Sequence, residues 1–161
     1  MSALFTIFRA IVYATLFIAF VLFYLPSRVL SWSGLVRPAA IASPQILGII
    51  LGSAGAIIAL SCVAAFAWIG KGTPAPFDPP RRLVVRGPYR FVRNPMYIGA
   101  ALALAGAALF FRSWPLLAYC GLLLLCASLF VVFYEEPALR RTFGLDYEAY
   151  CHRVHRWLPR M

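Results

Sequence analysis

Two adjacent carboxylates, Glu135 and Glu136, follow directly on a long apolar run of the sequence. Acidic groups at the end of a membrane span are costly unless they are hydrated, paired with a base or used in chemistry. If the glutamates are used in chemistry, a carboxylate beside the rings of Tyr89 and Tyr97 would bind an organic cation through charge and cation–π attraction. Paired, the glutamates form an ordinary interfacial cap. The arginines available to neutralise them are Arg93, Arg140 and Arg141.

The helices around these residues decide which of them can meet. Pro95 suits the first turn of one helix, and a second apolar helix that starts at Pro115 ends just before the two glutamates. Residues 112–114 turn the chain between them, so the two helices form a tight antiparallel hairpin. Asn94 and Tyr97 then come level with the glutamates. The sequence therefore predicts one polar site at this end of the hairpin.

The composition places the whole chain in a bilayer. Of the 161 residues, 63% are hydrophobic and only 12% are charged, with a mean hydropathy of +0.83; a soluble domain carries roughly 25% charged residues. Four spans of about 20 residues each use about half of this length and leave no room for a second domain. We therefore predict an all-α fold: a polytopic membrane helix bundle of about four transmembrane helices, forming one domain over residues 1–161.

Proline-rich and polar segments separate the predicted spans. Residues 71–94, before the third span, hold seven glycines and prolines together with six basic residues, so no long helix can form there. The last segment has apolar residues at helical spacing with arginines between them, which predicts an amphipathic helix on the membrane surface. The first span is too long for a signal-peptide core and is predicted to be retained. The predicted bounds are about 3–25, 44–69, 95–111 and 115–134 for the spans, 70–94 for a cytoplasmic loop and 135–161 for an interfacial tail.

The net charge of +10 comes from 15 basic and 5 acidic residues. The basic residues stand between and after apolar runs. This placement indicates that they orient the spans and contact anionic lipid, and it argues against binding of nucleic acid. Twelve of them fall on the side of the long loop and both termini, and three on the other side. The positive-inside rule then places both termini in the cytoplasm, and the short chain favours a bacterial inner membrane.

The cysteines and histidines predict neither a disulfide framework nor a metal site. Cys62, Cys120 and Cys126 lie inside apolar runs, and the sequence has no C-x-x-C pair. His152 and His155 stand three residues apart in the basic tail, with no further ligand placed to complete a site. We therefore expect no metal.

Several separated blocks of the sequence resemble the superfamily of isoprenylcysteine carboxyl methyltransferases and phospholipid methyltransferases. The first block is residues 86–99, RGPYRFVRNPMYIG, and the second begins with EEPAL at 135–139. The remaining blocks are Phe143-Gly144, Tyr147, Tyr150 and Arg156-Trp-Leu-Pro159. They stand in the right order over residues 70–159, with a pair of spans between them. The resemblance implies a membrane-embedded helical enzyme that transfers a methyl group from S-adenosylmethionine.

The resemblance also implies which residues hold the cofactor at the cytoplasmic end of the helices. The family's Arg-His-Pro-x-Tyr block corresponds to residues 93–97, and the first glutamate of its pair corresponds to Glu135. Tyr89 matches the aromatic residue upstream, and Leu83 and Val84 fall where backbone groups of the loop would line the adenosine. The implied cofactor-binding residues are Leu83, Val84, Tyr89, Asn94, Pro95, Met96, Tyr97 and Glu135.

Two positions depart from the family pattern. Asn94 stands where histidine is more frequent, and an amide keeps donor and acceptor capacity but cannot act as a general base. Val131 occupies the place where the protein-prenylcysteine enzymes carry an arginine thought to address the acceptor. A prenylcysteine carboxylate is therefore not favoured as the acceptor.

Methyl transfer from a sulfonium is an in-line displacement of a group that is already activated, so the protein mainly supplies alignment and desolvation. We expect the cofactor to enter from the cytoplasm and a lipid-like acceptor to enter sideways from the bilayer. The candidate catalytic residues are Glu136, to orient or deprotonate the acceptor, and Arg93, to bind an anionic group of the acceptor or the cofactor carboxylate.

Two other functions stay open on the sequence. A non-catalytic membrane protein whose basic loops bind anionic lipid fits the composition but leaves the Asn-Pro-Met-Tyr and Glu-Glu blocks unexplained. A sterol-reductase-like oxidoreductase has a similar helical core and uses a nicotinamide cofactor, but no G-x-G-x-x-G fingerprint supports it. The residues do not choose among O-, N- and S-methylation, and small-residue faces serve intramolecular and oligomeric packing alike.

Overall fold

The computed structural model describes residues 16, 18–34, 38, 40–65 and 83–159, and within these ranges the regular secondary structure is entirely helical. The predicted all-α fold class is confirmed for this part of the chain. Most of the predicted first span and residues 70–82 of the predicted cytoplasmic loop lie outside the described residues.

The helices are bounded by the residue types that the sequence analysis used. The helices are α1 (Leu25–Trp32), α2 (Ser43–Ala65), α3 (Pro95–Phe110), α4 (Trp114–Phe130) and α5 (Glu136–Arg153). A π-helical turn, Phe20–Tyr24, precedes α1, a second one, Val131–Glu135, joins α4 to α5, and a 3₁₀ turn covers Gly87–Arg90.

Two of these elements are long and apolar enough to cross a membrane, by length and composition. They are α2 and the continuous helical stretch Trp114–Arg153, whereas α3 is a shorter apolar helix. In the second stretch the apolar part is residues 114–134, because charged residues begin at Glu135. The structure thus agrees with a membrane helix bundle, and the number of four spans stays a prediction.

By their contacts the residues form two compact units. The first, here called the hairpin unit, comprises Ile18–Ala59 and Met96–Ser128. The second, here called the site unit, comprises Leu16 and the described residues within Leu60–Pro95 and Leu129–Met161.

Close backbone approach between α2 and α3 organises the hairpin unit. A Cβ atom built on Gly106 would lie 2.4 Å from the backbone nitrogen of Gly52, and one on Gly55 would lie 2.5 Å from the carbonyl oxygen of Gly99. Only glycine permits this spacing, as in other membrane helix pairs with small residues at the interface. Glycines therefore set the distance between α2 and α3.

Side-chain hydrogen bonds fix the ends of the same helices. The Gln45 side chain accepts a hydrogen bond from the backbone N–H of Ala42 at 3.2 Å, as the third residue of a capping box does, and donates to the carbonyl oxygen of Phe110 at 3.2 Å. At the turn between α3 and α4, Arg112 has a left-handed φ of 51°. Ser113 then caps α4 by accepting from the N–H of Leu116 at 3.3 Å.

A tyrosine-rich core holds the site unit together. Tyr147, Tyr150 and Val154 are buried, and Leu83, Leu139 and Phe143 pack against them. The Tyr150 hydroxyl donates to the carbonyl oxygen of Tyr89 at 2.6 Å. This core joins α5 to the loop that precedes α3.

Candidate functional site

The loop before α3 carries most of the predicted site residues. Gly87 adopts a φ of +62°, which favours glycine, and opens the 3₁₀ turn in which Tyr89 is buried. The chain then reaches Asn94, which is 6% exposed, and Pro95, which starts α3. The turn and the proline thus fix both ends of the loop.

The two glutamates lie where α4 passes into α5 through a π-helical turn. Glu135 ends that turn and Glu136 begins α5, with Pro137 next to it. Because proline has no N–H to donate to the preceding turn, a wider turn is a natural accommodation, and such turns are frequent at functional sites. Val131, where the acceptor arginine of related enzymes would stand, is fully buried.

A third segment, which sequence analysis did not assign, completes the site. After α5 the backbone becomes extended at Val154 (φ −126°, ψ 126°). The carbonyl oxygen of His155 accepts a hydrogen bond from the Arg93 N–H at 2.9 Å, and that of Arg156 accepts from Nδ2 of Asn94 at 3.2 Å. Arg156 stood in one of the sequence blocks noted above, but nothing in the pattern gave its side chain a role.

Glu136 lies at the centre of an arginine cluster formed by Arg93, Glu136 and Arg156. Nε of Arg156 lies 2.7 Å from Oε1 of Glu136 and Nη2 lies 2.8 Å from Oε2, so the guanidinium is bidentate. Nη2 of Arg93 lies 3.3 Å from Oε1 of the same carboxylate. Burial alone would raise the pKa of Glu136, but the hydrogen bonds from Arg156 and the charge of Arg93 hold it below its ordinary value.

The Arg93 guanidinium also contacts a second residue, and one of its N–H groups has no hydrogen-bond partner among the described residues. Its Nη1 donates to Sγ of Cys151, whereas its buried Nε has no hydrogen-bond partner within the described residues. With one carboxylate between two guanidinium groups, the arginine cluster has a formal charge of +1. A surplus positive charge with a spare N–H favours an anionic group as a further partner.

Three buried tyrosines of the site unit keep their protons. Burial raises the pKa of Tyr89, and the nearby Cys62 and the Glu135 carboxylate raise it further. Burial likewise raises the pKa values of Tyr147 and Tyr150. The hydroxyls are therefore hydrogen-bonding groups and not bases at neutral pH.

The structure brings residues from two distant sequence blocks into one unit. Leu83, Val84, Tyr89, Arg93, Asn94, Pro95, Glu135 and Glu136 all belong to the site unit. Met96 and Tyr97 follow in the first turn of α3 and are half-buried. The interfacial cap considered in the sequence analysis is real at Glu136, although its arginines are Arg93 and Arg156. Arg140 instead pairs with Glu148 at 3.0 Å.

The comparison with protein families agrees with these blocks. The family model described as phospholipid methyltransferase matches residues 44–146, well over half of the chain. No curated protein and no solved structure matches the chain significantly. The match covers α2, the loop, α3, α4 and the glutamate pair, so the predicted resemblance is confirmed. By its apolar helices and by this match, the chain belongs to the phospholipid methyltransferase family of membrane methyltransferases.

Proposed function

We propose that this protein transfers a methyl group from S-adenosylmethionine to a lipid-like acceptor in the membrane. One observation carries the proposal: the two sequence blocks of the matched family, separated by a helical hairpin, meet in one unit around Glu136. Neither of the other functions considered for the sequence accounts for that meeting.

The donor set of the site unit fits the charges of S-adenosylmethionine. The cofactor has a sulfonium, an ammonium and a carboxylate. The Glu135 carboxylate, whose charge contributes to the raised pKa of the Tyr89 hydroxyl, suits a cationic centre through charge, and the Tyr89 ring suits it through cation–π attraction. The spare Nε of Arg93 and the surplus positive charge of the arginine cluster suit a carboxylate.

We infer roles for the remaining residues from the family blocks. Asn94 would hold the amino-acid end of the cofactor through its amide, and backbone groups of Leu83 and Val84 would line the adenosine. Pro95, Met96 and Tyr97 would form the wall where α3 begins. When bound, the cofactor supplies an activated methyl group on sulfur, so the protein needs no metal for this transfer.

The surroundings of Glu136 favour a positioning role over proton abstraction. Both of its oxygens accept hydrogen bonds from Arg156, and its pKa is lowered, which makes the carboxylate a weak base. We infer that Glu136 holds Arg93 in place, and that Arg93 meets the anionic group of the acceptor or the cofactor. An acceptor that needs deprotonation would then lose its proton to water or to another group of the acceptor.

Calorimetric titration of detergent-purified protein with S-adenosylmethionine and S-adenosylhomocysteine tests the cofactor assignment. We expect binding by the wild type and its loss in Glu135→Ala. Glu148→Ala is the matched control, because Glu148 is partly exposed and pairs with Arg140. No binding to folded wild type would contradict the proposal and favour the non-catalytic lipid-binding protein.

Transfer of radiolabelled methyl from the cofactor tests the acceptor class. Three acceptors are supplied separately: an aminophospholipid and an isoprenoid thiol acid, each in mixed micelles, and a water-soluble amine. We expect label only in an amphiphilic acceptor. Methylation of the water-soluble amine alone would contradict entry of the acceptor from the bilayer.

A further inference from the structure

Arg156 lies beyond the residues matched by the family model, which end at 146. Its side chain nevertheless donates to both carboxylate oxygens of Glu136, at 2.7 and 2.8 Å. Its backbone carbonyl accepts from Nδ2 of Asn94 at 3.2 Å. One residue outside the matched region therefore binds a group from each of the two blocks that form the site.

The chain on either side of Arg156 is anchored to the same loop. The carbonyl oxygen of His155 accepts from the Arg93 N–H at 2.9 Å, and Val154 is buried against Tyr147 and Tyr150. The segment 154–156, here called the C-terminal clasp, is thus fixed by backbone and side chain together. Without it, Asn94 would lose the partner of its amide N–H₂ group, and a buried amide without a partner is unfavourable.

The geometry at Glu136 requires a guanidinium at position 156. Glu136 is faced by Arg93 from the loop, by Arg156 from the C-terminal clasp, and by Arg140 and Tyr147 from α5. Nη2 of Arg93 lies 3.3 Å from Oε1, whereas Arg156 donates hydrogen bonds to both oxygens. Lysine offers a single ammonium in place of the planar fork, so it would keep the charge and lose the orientation.

We propose that Arg156 is a positioning residue of the methyl-transfer site. Its guanidinium fixes the Glu136 carboxylate and its carbonyl fixes the Asn94 amide, so the loop and the glutamate pair keep one arrangement. The link to methyl transfer rests on the proposed function. That the C-terminal clasp holds the loop before α3 in place does not depend on it.

Hydrogen exchange of the full-length protein in detergent micelles tests whether the C-terminal clasp holds this loop. In Arg156→Ala, amide exchange in peptides covering residues 89–94 should rise by about tenfold or more, since the Arg93 N–H loses a held partner. Arg156→Lys should fall between Arg156→Ala and wild type. Arg153→Ala is the matched control: this neighbouring arginine is exposed, and among the described residues its side chain donates only within its own helix, to the carbonyl of Ala149.

Binding of S-adenosylhomocysteine by the same variants tests the positioning role. We expect roughly tenfold or greater weakening in Arg156→Ala and wild-type affinity in Arg153→Ala. Removing Arg156 also removes a contact that lowers the pKa of Glu136. The acid-side midpoint of binding should therefore move to higher pH in Arg156→Ala, which general loosening of the fold would not produce.

Each result supports or overturns a defined part of the proposal. Unchanged exchange at residues 89–94 in Arg156→Ala overturns it. Raised exchange with unchanged affinity and pH dependence makes the C-terminal clasp purely structural and overturns the positioning role. If the wild type binds no S-adenosylhomocysteine, the proposed function is overturned instead. Hydrogen exchange then still shows whether the C-terminal clasp holds the loop. Where Arg156→Ala does not fold, Arg156→Lys carries the same measurements.

Discussion

At the Glu136 carboxylate, burial and ion pairing act in opposite directions. Removing a carboxylate from water costs several kcal/mol, and only good geometry with further hydrogen bonds offsets that cost. The bidentate contact from Arg156 and the second guanidinium of Arg93 supply both. The ion pairs therefore fix the positions of the side chains more than they add to stability.

Replacing Glu136 by glutamine leaves two guanidinium groups without their shared anion. We expect Glu136→Gln to lower the free energy of unfolding by about 2 kcal/mol, since Glu136 is only 5% exposed. Turnover should fall more than cofactor affinity. The measurements are a denaturant titration in detergent micelles and steady-state methyl transfer.

Glu148→Gln is the control for that variant. Its carboxylate lies 3.0 Å from Arg140, but both side chains are about half exposed, so the loss should stay under about 1 kcal/mol. Equal losses in the two variants would contradict the special position of Glu136, and unchanged turnover in Glu136→Gln would remove it from the site.

The lowered pKa of Glu136 predicts how stability depends on pH. A carboxyl group whose pKa is lower in the folded protein stabilises the fold fully above its ordinary value of 4.5, and that stabilisation disappears as the pH falls through the folded value. The unfolding midpoint of the wild type should therefore decrease as the pH falls below 4.5. Glu136→Gln has no group to titrate there, so its decrease should be smaller. Parallel curves would contradict the assignment.

At the scale of elements, prolines decide where helices begin and one of them decides how two helices join. The sequence predicted the third helix to start at Pro95, and α3 starts there; Pro115 lies second in α4. The junction at Pro137 was not predicted, because charged residues and a proline together indicate an end. The structure instead joins α4 to α5 through the π-helical turn Val131–Glu135.

Gly144 interrupts α5 with a backbone that side chains disfavour. Its φ of 50° and ψ of −124° produce a kink within the helix. We expect Gly144→Ala to destabilise the protein by about 2 kcal/mol through strain alone, because a Cβ there meets nothing within 4 Å. Thermal unfolding in detergent measures the loss.

Gly121→Ala is the matched control for the kink. Gly121 lies inside α4, also has open space around its Cβ position, and has no positive φ. Alanine should therefore be neutral or stabilising by up to about 1 kcal/mol there. A neutral Gly144→Ala would show that α5 can straighten at no cost.

At the scale of the whole molecule, some residues of the candidate site could be predicted from the sequence and others could not. Tyr89, Asn94 and Glu135 stand in local blocks, so the resemblance could predict them as site residues. Glu136 was a candidate because two adjacent carboxylates need an explanation at the end of an apolar run. Its pairing with Arg156 was not predictable, since it depends on how the chain returns after α5 and has no local pattern.

Charge and exposed aromatic residues together predict the orientation of the chain in the membrane. Twelve basic residues fall on the predicted cytoplasmic side and three on the other. Within the hairpin unit, Trp32 and Trp114 are 96% and 79% exposed. Tryptophan at such positions is typical of a membrane interface, here the predicted outer one. We therefore expect both termini in the cytoplasm and the turn at Arg112 outside.

Reporter fusions test this orientation together with the number of spans. A fluorescent protein at either terminus should fluoresce, and alkaline phosphatase inserted at Arg112 should be active, because each reporter works on one side of the membrane only. Termini on the same side require an even number of spans, as the prediction of four does. Termini on opposite sides would require an odd number of spans, and fusions that fluoresce at neither terminus, with an inactive phosphatase at Arg112, would indicate an inverted chain. Inversion would also place the Glu136 site outside the cytoplasm, where S-adenosylmethionine is not supplied, and would contradict the proposed function.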